Sequence, residues 1–243
     1  MTDLHVHTTF SDGRSTPEEV VLAAIAKGMT TLGFSDHSYT HFDTAYCIPK
    51  EKLSAYRAEI GALKEKYAGQ IEILCGIEQD FYSEEPTEAY DYVIGSVHYI
   101  QSGETYLPVD ESRNALLDAV QLYFDGDIYA FSEAYYKTVA QVAEKLRPDI
   151  IGHFDLISKF NEDGTLFDES HPRYIAAWQA AADRLLTAGI PFEINTGAVS
   201  RGYRTAPYPA APIREYLAAR GARFLWSSDS HRAETLCFCF PED

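Results

Sequence analysis

The chain has 243 residues, of which 46% are hydrophobic and 23% are charged, a composition typical of a folded globular protein. Collagen-like and disordered classes are therefore excluded. The 37 acidic residues exceed the 20 lysines and arginines and give a net charge of −17, which disfavours nucleic acid and anionic membranes as partners. We expect one domain over residues 1–243, forming a monomer or a small homo-oligomer.

The sequence also indicates a compartment. No secretory signal is evident in the N-terminal sequence MTDLHVHTTF, and the longest apolar run, residues 20–26, is too short to cross a membrane. The four cysteines, Cys47, Cys75, Cys237 and Cys239, lack the usual spacing of a zinc site. Strand alternation would place Cys237 and Cys239 on one side, where a disulfide between them would be strained. We expect reduced thiols and a cytoplasmic protein.

Strand-like and helical segments alternate along the chain. Strands are predicted at 4–7, 31–35, 71–77, 92–97, 150–154, 191–195 and 223–227. Helices are predicted at 16–27, 53–67, 116–124, 130–146, 174–188 and 212–220. The first helix has the strongest start signal, with Thr16 as N-cap, Pro17 at the first position and Glu19 completing a capping box. This order predicts parallel βαβ units in either an open sheet or a closed barrel.

Potential metal ligands stand at the end of nearly every predicted strand, and they include six of the eight histidines. They are His5, His7, Asp36, His37, Glu78, His98, His153, Asp229 and His231. The carboxyl ends of parallel strands meet at one end of an α/β barrel, where active sites are built. The pattern therefore predicts a metal centre.

The chemistry of this centre follows from its donors. His5 and His7 face the same way on an extended strand and can converge on one metal, and Asp3 shares that face and is expected to orient a ligating imidazole. Imidazole and carboxylate ligands without thiolate suit Zn, Fe or Mn. The number of ligands favours two or three ions, an arrangement used to hydrolyse phosphate esters. His41 and His171 are expected to be loop residues that bind no metal.

The motifs also resemble those of a known family. Residues 3–38 read DLHVHTTFSDGRSTPEEVVLAAIAKGMTTLGFSDHS. This segment closely resembles the opening of PHP-domain proteins, the polymerase and histidinol phosphatase family. Further family blocks follow in order: GIEQD (76–80), GSVHYI (95–100), IGHFDLI (151–157), FEINTGAVSR (192–201) and SSDSH (227–231). The stretch 96–136 resembles stand-alone histidinol-phosphate phosphatases more than the domain attached to polymerases.

The resemblance implies a distorted seven-stranded (β/α)7 TIM-like barrel with three divalent metal ions, Zn, Fe or Mn. By this resemblance the first ion is held by His5, His7, Glu78 and Asp229, the second by Glu78, His98 and His153, and the third by Asp12, His37 and His231. A hydroxide bridging two metals would attack phosphorus, and Asp229 is the candidate proton donor. Arg201 and Lys159 resemble basic residues that bind the substrate phosphate.

The function that the resemblance implies is hydrolysis of L-histidinol phosphate to L-histidinol and phosphate in histidine biosynthesis. Two alternatives remain open from the sequence. One is a PHP phosphoesterase that acts on another small ester, such as a nucleotide monophosphate or phosphotyrosine. The other is a non-catalytic domain stabilised by metal.

Overall fold

The computed structural model describes residues 1–241, so residues 242 and 243 of the predicted domain lie outside the described part. The strands are Thr2–Asp3 (β1), Thr31–Phe34 (β2), Glu72–Asp80 (β3), Tyr92–Ser96 (β4), Tyr99–Ser102 (β5), Thr105–Pro108 (β6), Ile150–Ile151 (β7), Phe192–Asn195 (β8) and Phe224–Ser227 (β9). The helices are Pro17–Ala26 (α1), Leu53–Lys66 (α2), Arg113–Tyr123 (α3), Ile128–Val139 (α4), Val142–Leu146 (α5), Pro172–Leu186 (α6), Gly197–Ser200 (α7) and Ala211–Ala218 (α8).

Seven parallel strands form one sheet in the order β1-β2-β3-β4-β7-β8-β9. Its two edges meet near the carboxyl ends of β1 and β9, where the His7 amide donates to the Ser230 carbonyl at 2.8 Å. The Ser230 amide returns a hydrogen bond to the His5 carbonyl at 3.1 Å. The sheet is therefore a nearly closed barrel, which confirms the predicted seven-stranded α/β barrel.

Apolar side chains lie between the strands and the surrounding helices. Val20 and Ile60, from α1 and α2, pack against the β1–β3 side, and Phe131 and Leu185, from α4 and α6, pack against the other side. All four are fully buried, and each such burial contributes about 1.5–3 kcal/mol relative to exposure. This layer holds the strands, and hence their carboxyl ends, in fixed positions.

The predicted start of α1 is confirmed. The Thr16 side chain accepts from the Glu19 amide at 3.4 Å, and the Glu19 carboxylate accepts from the Thr16 amide at 2.8 Å. The two free donors at the helix start are thus paired, as the capping box requires.

Several predicted elements differ from the structure. The first ladder lies at Thr2–Asp3, and within 4–7 only Val6 forms a bridge, because this segment lies at the closing edge of the barrel. The predicted helix 130–146 is two helices, since the Gln141 amide bonds to the Thr138 carbonyl and turns the chain before α5.

The hairpin β5–β6 was not predicted, although its turn residue Gly103 has a φ of +60°, which glycine adopts readily. Cys237 and Cys239 have φ values of 53° and 55°, so the expected strand alternation there is wrong. Within residues 1–241 all four cysteines are free thiols. The same residues contain no helix that is both long and apolar enough to span a bilayer.

Candidate metal centre

The predicted ligands converge at the carboxyl end of the barrel. His37, His98, His153 and His231 follow β2, β4, β7 and β9. Glu78 instead lies inside β3, which extends further than predicted. The loop after Val6 brings in the remaining carboxylate, Asp12. The structure thus brings together all nine side chains assigned from the resemblance: His5, His7, Asp12, His37, Glu78, His98, His153, Asp229 and His231.

The Glu78 carboxylate is the hub of this arrangement. Its Oε2 lies 3.3 Å from Nε2 of His5, 3.6 Å from Nε2 of His7 and 2.8 Å from Nδ1 of His37. Its Oε1 lies 2.9 Å from Nε2 of His153 and 3.4 Å from Nε2 of His98. One buried carboxylate therefore contacts five imidazoles, as a residue shared between metal positions would.

Three groups of donor atoms lie close enough together to hold an ion each. Within each group the donor atoms are all within 4.8 Å of one another. The groups are His5, His7 and Asp229; His37, Glu78 and His98; and His7, Asp12, His37 and His231. They overlap with the sets implied by the resemblance, except that His7 and His37 each fall in two groups and His153 reaches the centre through Glu78.

The unpaired donors in this region fit divalent metal ions. Within residues 1–241, Nε2 of His5 and both ring nitrogens of His7 are buried and make no well-directed hydrogen bond. Buried polar atoms are normally paired, and leaving one unpaired costs about 1–3 kcal/mol. A set of imidazole nitrogens and carboxylate oxygens without thiolate matches Zn, Fe or Mn.

Burial and neighbouring charges oppose each other in these groups. Burial alone would lower the pKa of His5, but the Glu193, Glu78 and Asp229 carboxylates raise it well above its usual value. Burial, together with the nearby His231 and His37, lowers the pKa of His7 to about 3. The pKa values of these two imidazoles thus shift in opposite directions. Carboxylates lie 2.8 and 3.3 Å from the ring nitrogens of His5, whereas His7 lies beside two other imidazoles.

Two buried carboxylates that the sequence analysis did not assign orient the histidines. Glu193 accepts from Nδ1 of His5 at 2.8 Å and also from the backbone amide of His153. Asp80 accepts from the amide of His98 at 3.1 Å and faces its Nδ1 at 3.2 Å. Such contacts fix the tautomer and the ring direction of a ligating imidazole. Strand alternation could have identified Asp80, which follows Glu78 by two residues.

The role expected for Asp3 is wrong. Its carboxylate accepts from the backbone amides of Ser228 at 3.1 Å and Cys237 at 3.0 Å, and not from an imidazole. It points toward the closing edge of the barrel and ties β1 to the chain that follows β9.

A cavity of about 460 Å³ opens above these ligands. Arg201 and Lys159, the two basic residues assigned from the resemblance, line it. The Arg201 guanidinium donates from Nη2 to Oδ2 of Asp229 at 3.0 Å. It also donates from Nη1 to the backbone carbonyl oxygen of Asp229 at 2.9 Å. The Lys159 ammonium donates to Oδ2 of Asp110 at 2.9 Å. Sequence reasoning missed Asp110 and the aromatic wall residue Tyr46, which also line the cavity.

Asp229 combines several of these contacts. Its Oδ1 lies 3.3 Å from Nε2 of His7, while its Oδ2 binds Arg201. Its φ is 48°, a left-handed value that few residues other than glycine adopt. Burial would raise its pKa, but Arg201 and the surrounding histidines hold it well below the usual range. The Asp229 carboxylate therefore faces both the metal-binding groups and the cavity.

His41 and His171 lie outside the three groups. His171 is the N-cap of α6, where its Nδ1 accepts from the Arg173 amide at 3.3 Å, and its ring stacks on Tyr129. His41 is exposed, and its ring edge meets Tyr106.

Sequence comparison relates the chain to a known family and to a curated protein. The family model described as "PHP domain" matches residues 3–197. A protein of Deinococcus radiodurans named "Probable histidinol-phosphatase" is 31% identical over 99% of this chain and 90% of its own length.

Solved structures share the fold. A protein of Listeria monocytogenes, studied as a candidate histidinol phosphatase, superposes with a TM-score of 0.84 over 98% of both chains at 21% identity. The histidinol phosphate phosphatase of Lactococcus lactis, crystallised with Zn, L-histidinol and phosphate, has a TM-score of 0.65 at 20% identity, over 96% of this chain and 86% of that one. At these identities the likeness concerns the barrel alone.

Proposed function

This chain belongs to the PHP domain family, and from that premise we propose that it is a metal-dependent phosphomonoesterase that hydrolyses L-histidinol phosphate to L-histidinol and phosphate. The Deinococcus relative, matched over nearly its whole length, carries that activity in its name. The enzyme would act in histidine biosynthesis, as a single cytoplasmic domain over residues 1–243 that is a monomer or a small homo-oligomer. We expect neither nucleic acid nor membrane among its partners.

The observation that carries the proposal is the convergence of five imidazoles on Glu78 beneath a cavity that two basic side chains line. A phosphate ester needs positive charge around its oxygens and a nucleophile held in line with the leaving group. The centre and the two cations supply the first requirement. Six of the nine proposed ligands line the cavity itself, so a bound ester would lie against the centre, which supports the second requirement.

The centre would hold three divalent ions, Zn, Fe or Mn. The residues that would hold them are His5, His7, Glu78 and Asp229 for the first, Glu78, His98 and His153 for the second, and Asp12, His37 and His231 for the third. Bound ions of this kind lower the pKa of a coordinated water to near neutrality and neutralise phosphoryl oxygens.

The remaining steps belong to side chains of this chain. Arg201 would hold the phosphate with two donors, for which its planar guanidinium is suited, and Lys159, which lines the same cavity, would add a point charge. Asp229 would be the proton-transfer residue. Because its pKa is low, it would donate a proton to the leaving alkoxide only after it has accepted one from the attacking water.

The test is phosphate release by the purified protein supplied with Mn, Zn or Fe. Histidinol phosphate is compared with a nucleotide monophosphate, phosphotyrosine and a generic aryl phosphate. A preference of about a hundredfold in kcat/KM for histidinol phosphate, about 2.7 kcal/mol, is expected. Equal rates, or a faster reaction with another ester, would refute the substrate assignment. No turnover on any ester by a metal-replete protein would favour the non-catalytic alternative.

A pair of histidine variants separates metal-dependent activity from nonspecific effects. His153→Ala removes an imidazole that lies 2.9 Å from Glu78 and should abolish most of the activity. His41→Ala changes an exposed histidine outside the centre and should keep it. Near-wild-type turnover by His153→Ala would contradict the metal assignment.

A further inference from the structure

We propose that Asp36 is a positioning residue that holds the loop of residues 8–13 so that Asp12 can complete the third metal position. This inference rests on the proposed function, because it concerns the assembly of the same centre. Asp36 immediately precedes His37 and is fully buried. Within residues 1–241 its carboxylate makes no hydrogen bond to a proposed ligand side chain.

Among the described residues, the hydrogen bonds of the Asp36 carboxylate all go to the loop. Its Oδ1 accepts from the Thr8 amide at 2.8 Å, from the Ser11 amide at 3.2 Å and from the Ser11 hydroxyl at 2.6 Å. The Thr8 hydroxyl donates at 3.0 Å. Bonds to an ionised acceptor are about twice as strong as bonds between neutral groups. One buried carboxylate therefore binds the loop at two of its residues, Thr8 and Ser11.

Thr8 passes this constraint to the rest of the loop. Its carbonyl accepts from the amides of Ser11 at 3.1 Å and Gly13 at 2.9 Å, and its hydroxyl accepts from the Phe10 amide at 3.2 Å. The backbone at Gly13 lies directly against the backbone of His7, so a Cβ at position 13 would lie only 2.6 Å from the His7 carbonyl group. The loop is thus a tight turn built around Thr8.

Asp12 depends on this turn for its position. Its carboxylate lies 3.2 Å from Nε2 of His231 and 3.7 Å from Nε2 of His37, on a side chain that remains 35% exposed. His37 and His231 are placed by strands β2 and β9, whereas Asp12 projects from the loop. Asp36 joins the end of β2 to that loop and so sets the distance between Asp12 and both histidines.

The variant Asp36→Asn tests this role while keeping the size of the side chain. The amide loses the charge and presents a donor where the carboxylate accepted. Outer groups that orient ligands typically change metal affinity by about 10- to 100-fold. We expect the affinity to fall in this way for only one of the three ions. After dialysis against buffered metal, the variant should then retain about two ions per chain. Excess metal should restore kcat.

Two measurements give readouts besides activity. They are metal content by elemental analysis and titrations of Zn or Mn binding, each made with and without substrate. Asp149→Asn is the matched control, because Asp149 accepts from the Val93 amide at 2.9 Å at the opposite end of the barrel. It should retain all three ions. Ser11→Ala removes the 2.6 Å bond to Asp36 and a long 3.5 Å contact to Oδ1 of Asp12, but keeps the Ser11 amide bond to Asp36. It should weaken the same ion to a smaller extent.

Unchanged affinity for all three ions in Asp36→Asn would overturn the inference, as would equal weakening of all three. If Asp36→Asn does not fold, Ser11→Ala decides by the same criterion. A wild-type chain that binds fewer than three ions overturns both the inference and the trinuclear centre. A wild-type chain that binds three ions but releases no phosphate refutes the proposed function alone, and the metal readout still decides the role of Asp36.

Discussion

Gly197 lies against the ion pair between Arg201 and Asp229, and its replacement by alanine is a sharp test of that pair. A Cβ at position 197 would lie 2.6 Å from Oδ2 of Asp229 and 2.8 Å from Nη2 of Arg201. The backbone there cannot retreat easily, because the Gly197 amide donates to Oδ1 of Asn195 at 2.8 Å. The carboxylate and the guanidinium must therefore move.

The size of the effect follows from this distance. An ordinary contact of a Cβ begins near 3.4 Å, so Asp229 Oδ2 must shift by about 0.8 Å. A misplacement of about 1 Å in a catalytic group can lower the rate about a hundredfold, or about 2.7 kcal/mol in activation free energy. The free energy of unfolding should fall by about 1–3 kcal/mol through overpacking. Gly197→Ala should thus lose about a hundredfold in kcat/KM while staying folded, since a loss of about 1–3 kcal/mol leaves most of the typical stability of about 5–15 kcal/mol.

The assay is kcat/KM for histidinol phosphate at saturating metal, with thermal unfolding and metal content measured on the same samples. Gly61→Ala is the control, since a Cβ at that position in α2 would meet nothing within 4 Å. It should keep wild-type kcat/KM and gain about 0.5–1 kcal/mol in stability. A Gly197→Ala protein with wild-type kcat/KM would show that the exact position of the Arg201–Asp229 pair does not matter.

Three further outcomes are expected. Carboxylates raise the pKa of His5, His37 and His98 despite burial, so metal loading should displace protons from these imidazoles, and apparent metal affinity should rise with pH. Calorimetry in two buffers of different ionisation enthalpy counts them, and zero release would contradict the assignment. Burial raises the pKa of Cys75 to about 12, so a disulfide reagent at pH 8 should modify the exposed Cys239 long before Cys75; equal rates would contradict this. Thr16→Ala should cost about 1 kcal/mol of unfolding free energy in urea titrations, and an unchanged midpoint would show that the cap contributes nothing.

Features that depend on neighbouring residues were predictable from the sequence. The capping box at Thr16, the alternation of strands with helices, and the placement of ligands at strand ends all have periods or spacings that can be read directly. Parallel strands bring their carboxyl ends to one side whatever the helices do between them. The metal centre was therefore predictable from the order of its ligands along the chain.

Tertiary structure alone decided how distant residues meet. Glu193 lies 188 positions from the His5 ring that it orients, and no local pattern indicates that contact. The pairing of Val6 with Ser230, which closes the barrel, also has no local signal. The alternation of strands and helices was compatible with either an open sheet or a closed barrel. In the sequence, Asp36 resembles the other acidic residues at strand ends. Only the structure shows that its carboxylate binds the loop at Thr8 instead of the histidines. Local spacing determines which elements form, whereas pairings across the barrel depend on where the packed helices set each strand.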